Sequence, residues 1–281
     1  MSIEPQRHRV SLALTSAFAI DSALKVKVIP QQQPSTSQAS ACNMSTAVAS
    51  KTVLITGATR GIGLKLAERY AQIGWNVIGT ARDLNKAEKL KALSPYKIVQ
   101  LDSTDEASIV RAAKELEGEI IDLLINNAGT AVMADLGKTT KADMIQQFET
   151  NAVGPFLVTR AFVPNLKAAV AARGAATVAQ ISSLLGSISI GNFPGIPNAY
   201  GYRASKAALN VVNAALAVDL KSDSIAAITL NPGYVATDLT DFAEDAISTD
   251  TSVDGLISVI SNTTLEGTGK FISYDGNAIP W

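Results

Sequence analysis

The sequence is poor in the side chains that bind metals or build catalytic triads. Cys42 is the only cysteine and His8 the only histidine among 281 residues, and both lie in the N-terminal stretch. A disulfide within one chain, a cysteine-histidine metal site and a Ser-His-Asp or Cys-His triad are therefore excluded. We predict no metal site, and any chemistry must come from Tyr, Lys, Ser, Asn, Asp or Glu.

The sequence also lacks a charge excess and a long apolar run. Its 24 lysines and arginines nearly balance 25 aspartates and glutamates, so no broad positive field suits nucleic acid or an anionic membrane. No uninterrupted apolar run approaches the length of a bilayer crossing. We expect a small-molecule partner, with no nucleic acid and no membrane.

Residues 1–50 differ in composition from the rest. PQQQPSTSQASACNMSTAVAS is rich in Gln, Ser, Thr and Ala and has no charge, which is typical of a disordered linker. Basic residues precede a short apolar stretch upstream. Three interpretations stay open: an upstream start before a functional chain beginning near Met44, a mitochondrial-type presequence, or a secretory signal. We exclude 1–50 from the fold and expect a cytoplasmic protein, or a mitochondrial one if residues 1–43 are a presequence.

Residues 51–281 alternate short β-branched runs with helical patterns. The predicted strands are 52–56, 75–80, 97–102, 120–126, 176–182, 226–231 and 270–274. The predicted helices are 62–74, 84–93, 106–116, 144–172, one from near Tyr202, and 251–262. This order predicts an α/β fold with one Rossmann-type doubly wound parallel sheet and helices on both faces. Such sheets bind ligands at the carboxyl ends of their strands.

A glycine-rich segment, TGATRGIG (56–63), joins the first strand to the first helix. Gly57, Gly61 and Gly63 allow a tight turn and close backbone approach to a pyrophosphate, and the helix N-terminus favours negative charge. A Walker A loop would need Gly-Lys-Ser/Thr at 62–64, where this chain has Ile-Gly-Leu. The segment predicts a dinucleotide site, with a glycine turn that binds nothing as the alternative.

Two arginines indicate which dinucleotide binds. An acidic residue after the second strand usually selects NAD, whereas arginine accommodates the 2′-phosphate of NADP. Arg82 ends the second strand and Arg60 lies in the glycine segment, although Asp83 is adjacent. We predict NADP(H), and an NAD-linked alcohol dehydrogenase is the alternative.

One tyrosine is paired with a lysine at helical spacing. In YGYRASK (200–206), Tyr202 lies four residues before Lys206, so both side chains share one helix face, whereas Tyr200 does not share it. A free tyrosine titrates near pH 10, and a neighbouring cation stabilises its phenolate. Tyr202 is thus a candidate acid or base near neutral pH.

Five motifs occur in the order of one family: TGATRGIG, NNAG (126–129), SSLLG (182–186), YRASK (202–206) and NPGYVATD (231–238). The chain resembles the short-chain dehydrogenases/reductases over about residues 51–281. ISSLLGSIS, YGYRASKAALN and the ending GKFISYDGNAIPW resemble the Sniffer-like and C-factor-like carbonyl reductases.

The resemblance implies a role for each of four residues. Tyr202 would donate a proton to the carbonyl oxygen, and Lys206 would also hold the nicotinamide ribose. Ser183, rather than Ser182, would hydrogen-bond the substrate carbonyl. Asn151 would hold a water that relays protons, although it is alternatively a helix-kinking amide. The reaction would be hydride transfer from NADPH to a ketone, aldehyde or quinone, and a non-catalytic NADP-binding regulatory protein is the rival interpretation.

The resemblance also implies further contacts. Asp102 would contact adenine and Thr237 the nicotinamide carboxamide. The complete predicted cofactor set is Gly57, Thr59, Arg60, Gly61, Ile62, Gly63, Arg82, Asp102, Asn127, Ala128, Gly129, Tyr202, Lys206, Pro232, Gly233, Val235 and Thr237. Phe193, Ile196 and Tyr200 are candidates to line the substrate pocket. The family commonly pairs through two long helices, here 143–171 and 202–220, so we expect a homodimer or homotetramer.

Overall fold

The computed structural model describes residues 50–191 and 198–281. The sequence predictions for the N-terminal stretch, including Cys42 and His8, lie outside these residues. The same is true of the pocket candidates Phe193 and Ile196.

A seven-stranded parallel sheet forms the centre of the protein. Its strands are β1 Thr52–Ile55, β2 Asn76–Ala81, β3 Lys97–Gln100, β4 Leu123–Asn126, β5 Ala176–Ile181, β6 Ile225–Asn231 and β7 Phe271–Ser273. Their spatial order is β3-β2-β1-β4-β5-β6-β7, and every neighbouring pair is parallel. The predicted doubly wound α/β fold is confirmed. The strand order reverses between the neighbouring strands β1 and β4, and sheets of this type bind their ligands at such a point.

Helices cover both faces of the sheet. They are α1 Gly61–Gln72, α2 Glu88–Ala92, α3 Glu106–Glu115, α4 Lys141–Phe148, α5 Gly154–Arg173, α6 Tyr200–Asp219 and α7 Thr249–Ser261. A π-helical turn, Glu149–Val153, joins α4 to α5. None of the helices in the described ranges combines the length and apolar character that a bilayer crossing needs.

Alternate residues of β1 enter two separate cores. Leu54 lies in a cluster with Phe162 of α5, whereas Val53 and Ile55 lie in a cluster with Leu66 of α1. All of them are fully buried. Successive side chains of a strand point to opposite faces, so a strand that is apolar throughout needs helices on both sides. This packing holds the strands in place, and the predicted site residues lie at the carboxyl ends of these strands.

Three predicted helices differ from those in the structure. The predicted helix 144–172 begins at Lys141 and is divided into α4 and α5 by the π-helical turn Glu149–Val153. Helix 84–93 is divided because the Asp83 carboxylate caps a separate 3-10 turn, Leu84–Lys86, before α2. Helix α6 begins at Tyr200 instead of near Tyr202, after Ala199 in the left-handed region with φ of 43°. Tyr200 therefore lies in the first turn of the same helix as Tyr202.

Candidate active site

The glycine segment between β1 and α1 leaves no room for a side chain at Gly57 or Gly63. Gly57 and Gly61 have φ of +64° and +53°, a region that favours glycine. A Cβ on Gly63 would lie 2.4 Å from both the Nδ2 of Asn127 and the carbonyl oxygen of Gly57. A Cβ on Gly57 would lie 3.0 Å from the Cα of Ala128. The predicted phosphate loop and the NNAG motif are therefore packed backbone to backbone.

Thr56 joins these two motifs and was missed by the sequence analysis. Its hydroxyl accepts hydrogen bonds from the backbone N–H groups of Asn127, at 2.9 Å, and Ala128, at 3.0 Å. The Asn127 side chain donates in return to the carbonyl oxygen of Thr56 at 2.9 Å. The available signal was a threonine directly after three apolar strand residues, where a buried hydroxyl needs a partner.

The first turn of α1 is open to an anion. Arg60 precedes the helix, and no side chain caps its N-terminus, so its first N–H groups have no side-chain partner. Ile62 packs its side chain against the core below, which leaves its backbone as the part able to face a ligand. Thr59 is half-buried in the turn before Arg60.

The predicted adenosine contacts lie at the ends of neighbouring strands. Arg82 directly follows β2 and is exposed, and within the described residues its side chain forms no ion pair. The adjacent Asp83 carboxylate accepts a hydrogen bond from the Asn85 N–H at 2.9 Å. Asp102 follows β3 and accepts hydrogen bonds from the N–H and hydroxyl of Thr104 at 3.0 and 2.8 Å. The acidic residue that weakened the NADP prediction is thus engaged in capping a turn.

The loop after β6 reaches the glycine segment. The Arg60 guanidinium lies 3.0 Å from the Asp238 carboxylate, and a Cβ on Gly61 would lie 3.4 Å from the methyl group of Thr237.

Three other residues of the predicted cofactor set shape the loop after β6. Pro232 accepts a hydrogen bond from Ser252 at 2.6 Å, Gly233 has φ of +84°, and Val235 is buried.

Tyr202 and Lys206 lie together on α6, as predicted. The Lys206 ammonium is 5.8 Å from the centre of the Tyr202 ring and donates to the carbonyl oxygen of Ile181 at 2.8 Å. Both side chains are buried. Burial lowers the pKa of Lys206 to about 8. Burial raises the pKa of Tyr202, and a hydrogen bond with the Ser183 side chain opposes that rise.

The two serines of SSLLG have different surroundings. The Ser182 hydroxyl is buried and donates to the Asn210 side chain at 2.7 Å, so its hydrogen is already engaged. The Ser183 hydroxyl is half-buried, accepts from the Leu185 N–H at 3.2 Å and interacts with Tyr202. This geometry favours Ser183 as the residue that meets a substrate.

Asn151 lies at the centre of the π-helical turn and is fully buried. Its Oδ1 accepts from the Thr130 N–H at 2.9 Å, and its Nδ2 donates to the Thr130 carbonyl oxygen at 2.8 Å and to the Ser205 hydroxyl at 2.9 Å. Single π-turns inside helices frequently occur at functional sites. Here the turn directs the amide toward Gly129, where a Cβ would lie 3.2 Å from Oδ1 and 3.6 Å from the Lys206 ammonium.

Gln147, one turn earlier on α4, was also missed by the sequence analysis. It is 1% exposed, and its Oε1 accepts from the Val132 N–H at 2.7 Å. A Cβ on Gly201 would lie 2.4 Å from its Nε2. Gln147 therefore packs between the segment after NNAG and the first turn of α6. A glutamine on a surface-like helical pattern gives no local signal of this contact.

Known proteins resemble this chain in sequence and in fold. A sequence model of the family described as short chain dehydrogenase matches residues 51–247. C-signal from Myxococcus xanthus is 36% identical over 162 residues, which are 57% of this chain and 93% of that protein.

Two solved structures share the fold over most of the chain. The NADPH-bound carbonyl reductase from chicken fatty liver is 34% identical, with a TM-score of 0.77 over 83% of this chain and 99% of that one. The carbonyl reductase Sniffer of D. melanogaster is 30% identical, with a TM-score of 0.77 over 83% of this chain and 100% of that one.

Proposed function

Because the chain belongs to the short-chain dehydrogenase family, we propose that this oxidoreductase reduces the carbonyl group of a ketone, aldehyde or quinone with NADPH. The observation that carries the proposal is the group formed by the buried Tyr202, Lys206 and Asn151 with the half-buried Ser183. It lies beside a glycine segment that has no space for a side chain at Gly57 and Gly63. The NADPH-bound carbonyl reductase from chicken fatty liver supports the choice of reaction.

The residues present fit a dinucleotide. The backbone cradle at Gly57 and Gly63 would be filled by any side chain, and the uncapped N-terminus of α1 suits a pyrophosphate. Arg82 and Arg60 would hold the 2′-phosphate of NADP(H), and Asp102 would hold adenine. NADPH supplies the hydride that the carbonyl carbon receives.

Tyr202 would supply the proton. Its hydroxyl would donate to the carbonyl oxygen as negative charge develops there, and the Lys206 cation on the next helical turn would stabilise the phenolate that remains. Ser183 would donate a hydrogen bond to the same oxygen, and this bond strengthens in the transition state. Asn151 would hold the water through which the proton of Tyr202 is replaced.

The exposed face of α6 supports self-association. Val211 and Val218 lie two helical turns apart and are 70% and 75% exposed, and apolar residues at this spacing form one stripe. We expect a homodimer or homotetramer that pairs through α5 and α6, in the cytoplasm.

The test is NADPH oxidation by the purified full chain with a panel of quinones, aromatic aldehydes and diketones. Tyr202→Phe should lower kcat by about 10²- to 10⁴-fold while NADPH binding is retained. Tyr200→Phe is the comparison variant, since it removes a hydroxyl two residues away on the same helix. It should retain kcat, and a change confined to KM would place Tyr200 in the substrate pocket. Equal activity of Tyr202→Phe and the parent would refute the mechanism. A parent that binds NADPH and reduces nothing on the panel would favour the non-catalytic regulatory function.

A stronger affinity for NADH than for NADPH would point instead to the NAD-linked alternative. Both affinities are measured by fluorescence titration of the reduced cofactor with the same protein. This comparison separates cofactor choice from reaction type.

A further inference from the structure

Gln147 holds the chain that follows the NNAG motif. Its Oε1 accepts a hydrogen bond from the Val132 N–H at 2.7 Å. Its Nε2 donates to the carbonyl oxygen of Asp143, one turn earlier in α4, at 3.0 Å. The side chain is buried, and a buried amide is stable only when its polar atoms have partners. These two bonds therefore fix the amide in one position.

Gln147 repeats, one helical turn earlier, the contact that Asn151 makes. Asn151 bonds the N–H and the carbonyl oxygen of Thr130, and Gln147 bonds the N–H of Val132. Four residues of an α-helix rise about 6 Å, and two residues of chain span at most about 7 Å. The two amides can therefore meet alternate residues of one segment, 130–132, and together they hold it along its length.

The same two amides contact α6 at positions one turn apart. The Nδ2 of Asn151 donates to the Ser205 hydroxyl at 2.9 Å. The Nε2 of Gln147 lies against Gly201, because a Cβ at that position would be only 2.4 Å away. Gly201 and Ser205 share one face of α6, since side chains at i and i+4 lie one above the other. Two separate contacts fix both the distance of α6 from α4 and its direction, whereas one contact would leave the helix free to pivot.

Tyr202 lies between these two contacts in sequence and takes its position from them. It directly follows Gly201, and the Ser205 hydroxyl donates to its carbonyl oxygen at 2.7 Å. The residue before α6 is Ala199, whose methyl side chain cannot cap the first turn. The contact with Gln147 therefore supplies a restraint that the end of the helix itself lacks.

The segment held by Gln147 borders the reacting groups. A Cβ on Gly129, directly before the segment, would lie 3.6 Å from the Lys206 ammonium and 3.2 Å from the Oδ1 of Asn151. Gln147 consequently links the chain beside Lys206 to the helical turn that carries Tyr202.

We propose that Gln147 is a positioning residue for carbonyl reduction. It fixes the first turn of α6 against α4 and segment 130–132, and thereby sets where the Tyr202 hydroxyl stands relative to the other reacting groups. This inference rests on the proposed function, in which Tyr202 is the proton donor, and Gln147 acts through that residue.

The test compares Gln147→Ala with Asn165→Ala by kcat, NADPH affinity and thermal unfolding. Asn165 is the matched control because it is also a buried amide with two backbone partners, the carbonyl oxygens of Leu116 and Glu119 at 2.7 and 2.9 Å, in the chain before β4. Gln147→Ala should lower kcat about 5- to 30-fold, because a misplacement of about 1 Å can cost up to about 100-fold. Its NADPH affinity should stay within about twofold of the parent, since the interaction it loses matters only in the transition state.

Asn165→Ala should lose stability and keep kcat within about twofold of the parent, because it lies outside the site. This control separates misplacement of the proton donor from a general loss of packing. A Gln147→Ala variant that loses stability but keeps kcat would make Gln147 a structural residue only.

A second pair of variants tests the contact itself. Gly201→Ala in the parent would place a Cβ 2.4 Å from the Nε2 of Gln147 and should also lower kcat. In the Gln147→Ala background the amide is gone, so the same substitution should change kcat by at most about twofold. Equal losses in both backgrounds would show that Gly201 and Gln147 act independently, and the proposal would then be wrong.

Hydrogen exchange separates this inference from the proposed function. Exchange of the Val132 amide should accelerate in Gln147→Ala and stay unchanged in Asn165→Ala, whether or not a substrate is found. A parent without turnover on the carbonyl panel would overturn the proposed function and the role of Gln147 in it, while faster exchange would still establish that Gln147 holds segment 130–132. Unchanged exchange in an active enzyme would contradict positioning by Gln147 and leave the proposed function standing.

Discussion

The amide nitrogen of Asn151 donates to the hydroxyl of Ser205 at 2.9 Å, and that hydroxyl donates to the carbonyl oxygen of Tyr202 at 2.7 Å. Asn151 thereby joins the π-turn to the helix that carries the proposed proton donor. Its other two hydrogen bonds hold Thr130. A single buried side chain fixes two walls of the candidate site, which explains why an asparagine interrupts the regular helix there.

The first prediction separates the positioning of the helix from the other roles of Asn151. Asn151→Ala removes all three hydrogen bonds and should lower kcat about 10- to 100-fold, because small misplacements of reacting groups are costly. Ser205→Ala removes the hydrogen bonds that connect Asn151 to Tyr202 and keeps the two bonds to Thr130. Its kcat should therefore fall by less. Both variants are compared by kcat and by thermal unfolding. A fully active Asn151→Ala would mean that this residue merely kinks the helix.

The second prediction concerns pH. The proposed mechanism needs a protonated Tyr202 and a cationic Lys206. Burial lowers the pKa of Lys206 to about 8 and raises the pKa of Tyr202. As pH rises through about 8, Lys206 loses its proton first, so kcat for reduction should fall above about pH 8. Lys206→Arg stays cationic, so its residual kcat should not change with pH across the same range.

Stability should change in the opposite direction over this range. The unfolded chain keeps the Lys206 proton up to the ordinary pKa of 10.5, whereas the folded chain releases it near 8. The unfolded state therefore binds more protons between these values, and this group makes the free energy of unfolding rise with pH. Urea unfolding of the parent against Lys206→Met measures the difference. A parent that loses stability relative to the variant across this window would contradict the lowered pKa.

Local sequence rules predicted much of the local geometry of the candidate site. The i,i+4 pairing of Tyr202 and Lys206, the glycine spacing at Gly57 and Gly63, and the strand-helix alternation depend on residues close in sequence. Asp83 was ambiguous because its side chain could face a ribose or its own backbone. Its hydrogen bond to the Asn85 N–H is a local cap that competes with the first of these roles.

Long-range partners were not predictable from the sequence. Thr56 meets Asn127 across 71 positions, and Ser187 meets Pro280 across 93. The contact between Gln147 and Gly201 is also long-range, because it forms only when α4 packs against α6. A single sequence carries no period or spacing for such contacts, since they arise when the sheet brings distant strand ends together.

The third prediction tests the glycine cradle. Gly63→Ala would place a Cβ 2.4 Å from Asn127 and Gly57, so the motifs must separate, at a cost of about 1–3 kcal/mol in the free energy of unfolding. Dinucleotide affinity should fall as well. Gly267→Ala is the control, because a Cβ there meets nothing within 4 Å, and urea unfolding compares the two. Equal stability of both variants would show that the cradle tolerates a side chain.

The fourth prediction tests cofactor choice at Arg82. Arg82→Ala should weaken NADPH binding about 10- to 100-fold, because a charge-assisted contact to phosphate is lost. NADH binding should stay within about twofold, since NADH has no 2′-phosphate. Lys86→Ala removes a nearby exposed cation and serves as the control in the same fluorescence titration. If the binding of both cofactors weakens equally, Arg82 stabilises the end of β2 instead.

The last prediction follows from the contact between Arg60 and Asp238, whose Nη1 and Oδ2 lie 3.0 Å apart. If Arg60 binds the 2′-phosphate, the Asp238 carboxylate competes with it for the guanidinium. Asp238→Asn should then tighten NADPH binding about two- to fivefold at low salt, the scale expected for an exposed ion pair, and leave NADH binding unchanged. In an Arg60→Ala background the same substitution should have no effect on NADPH. The opposite geometry, in which the ion pair holds the loop over either cofactor, would instead make Asp238→Asn weaken NADPH and NADH alike.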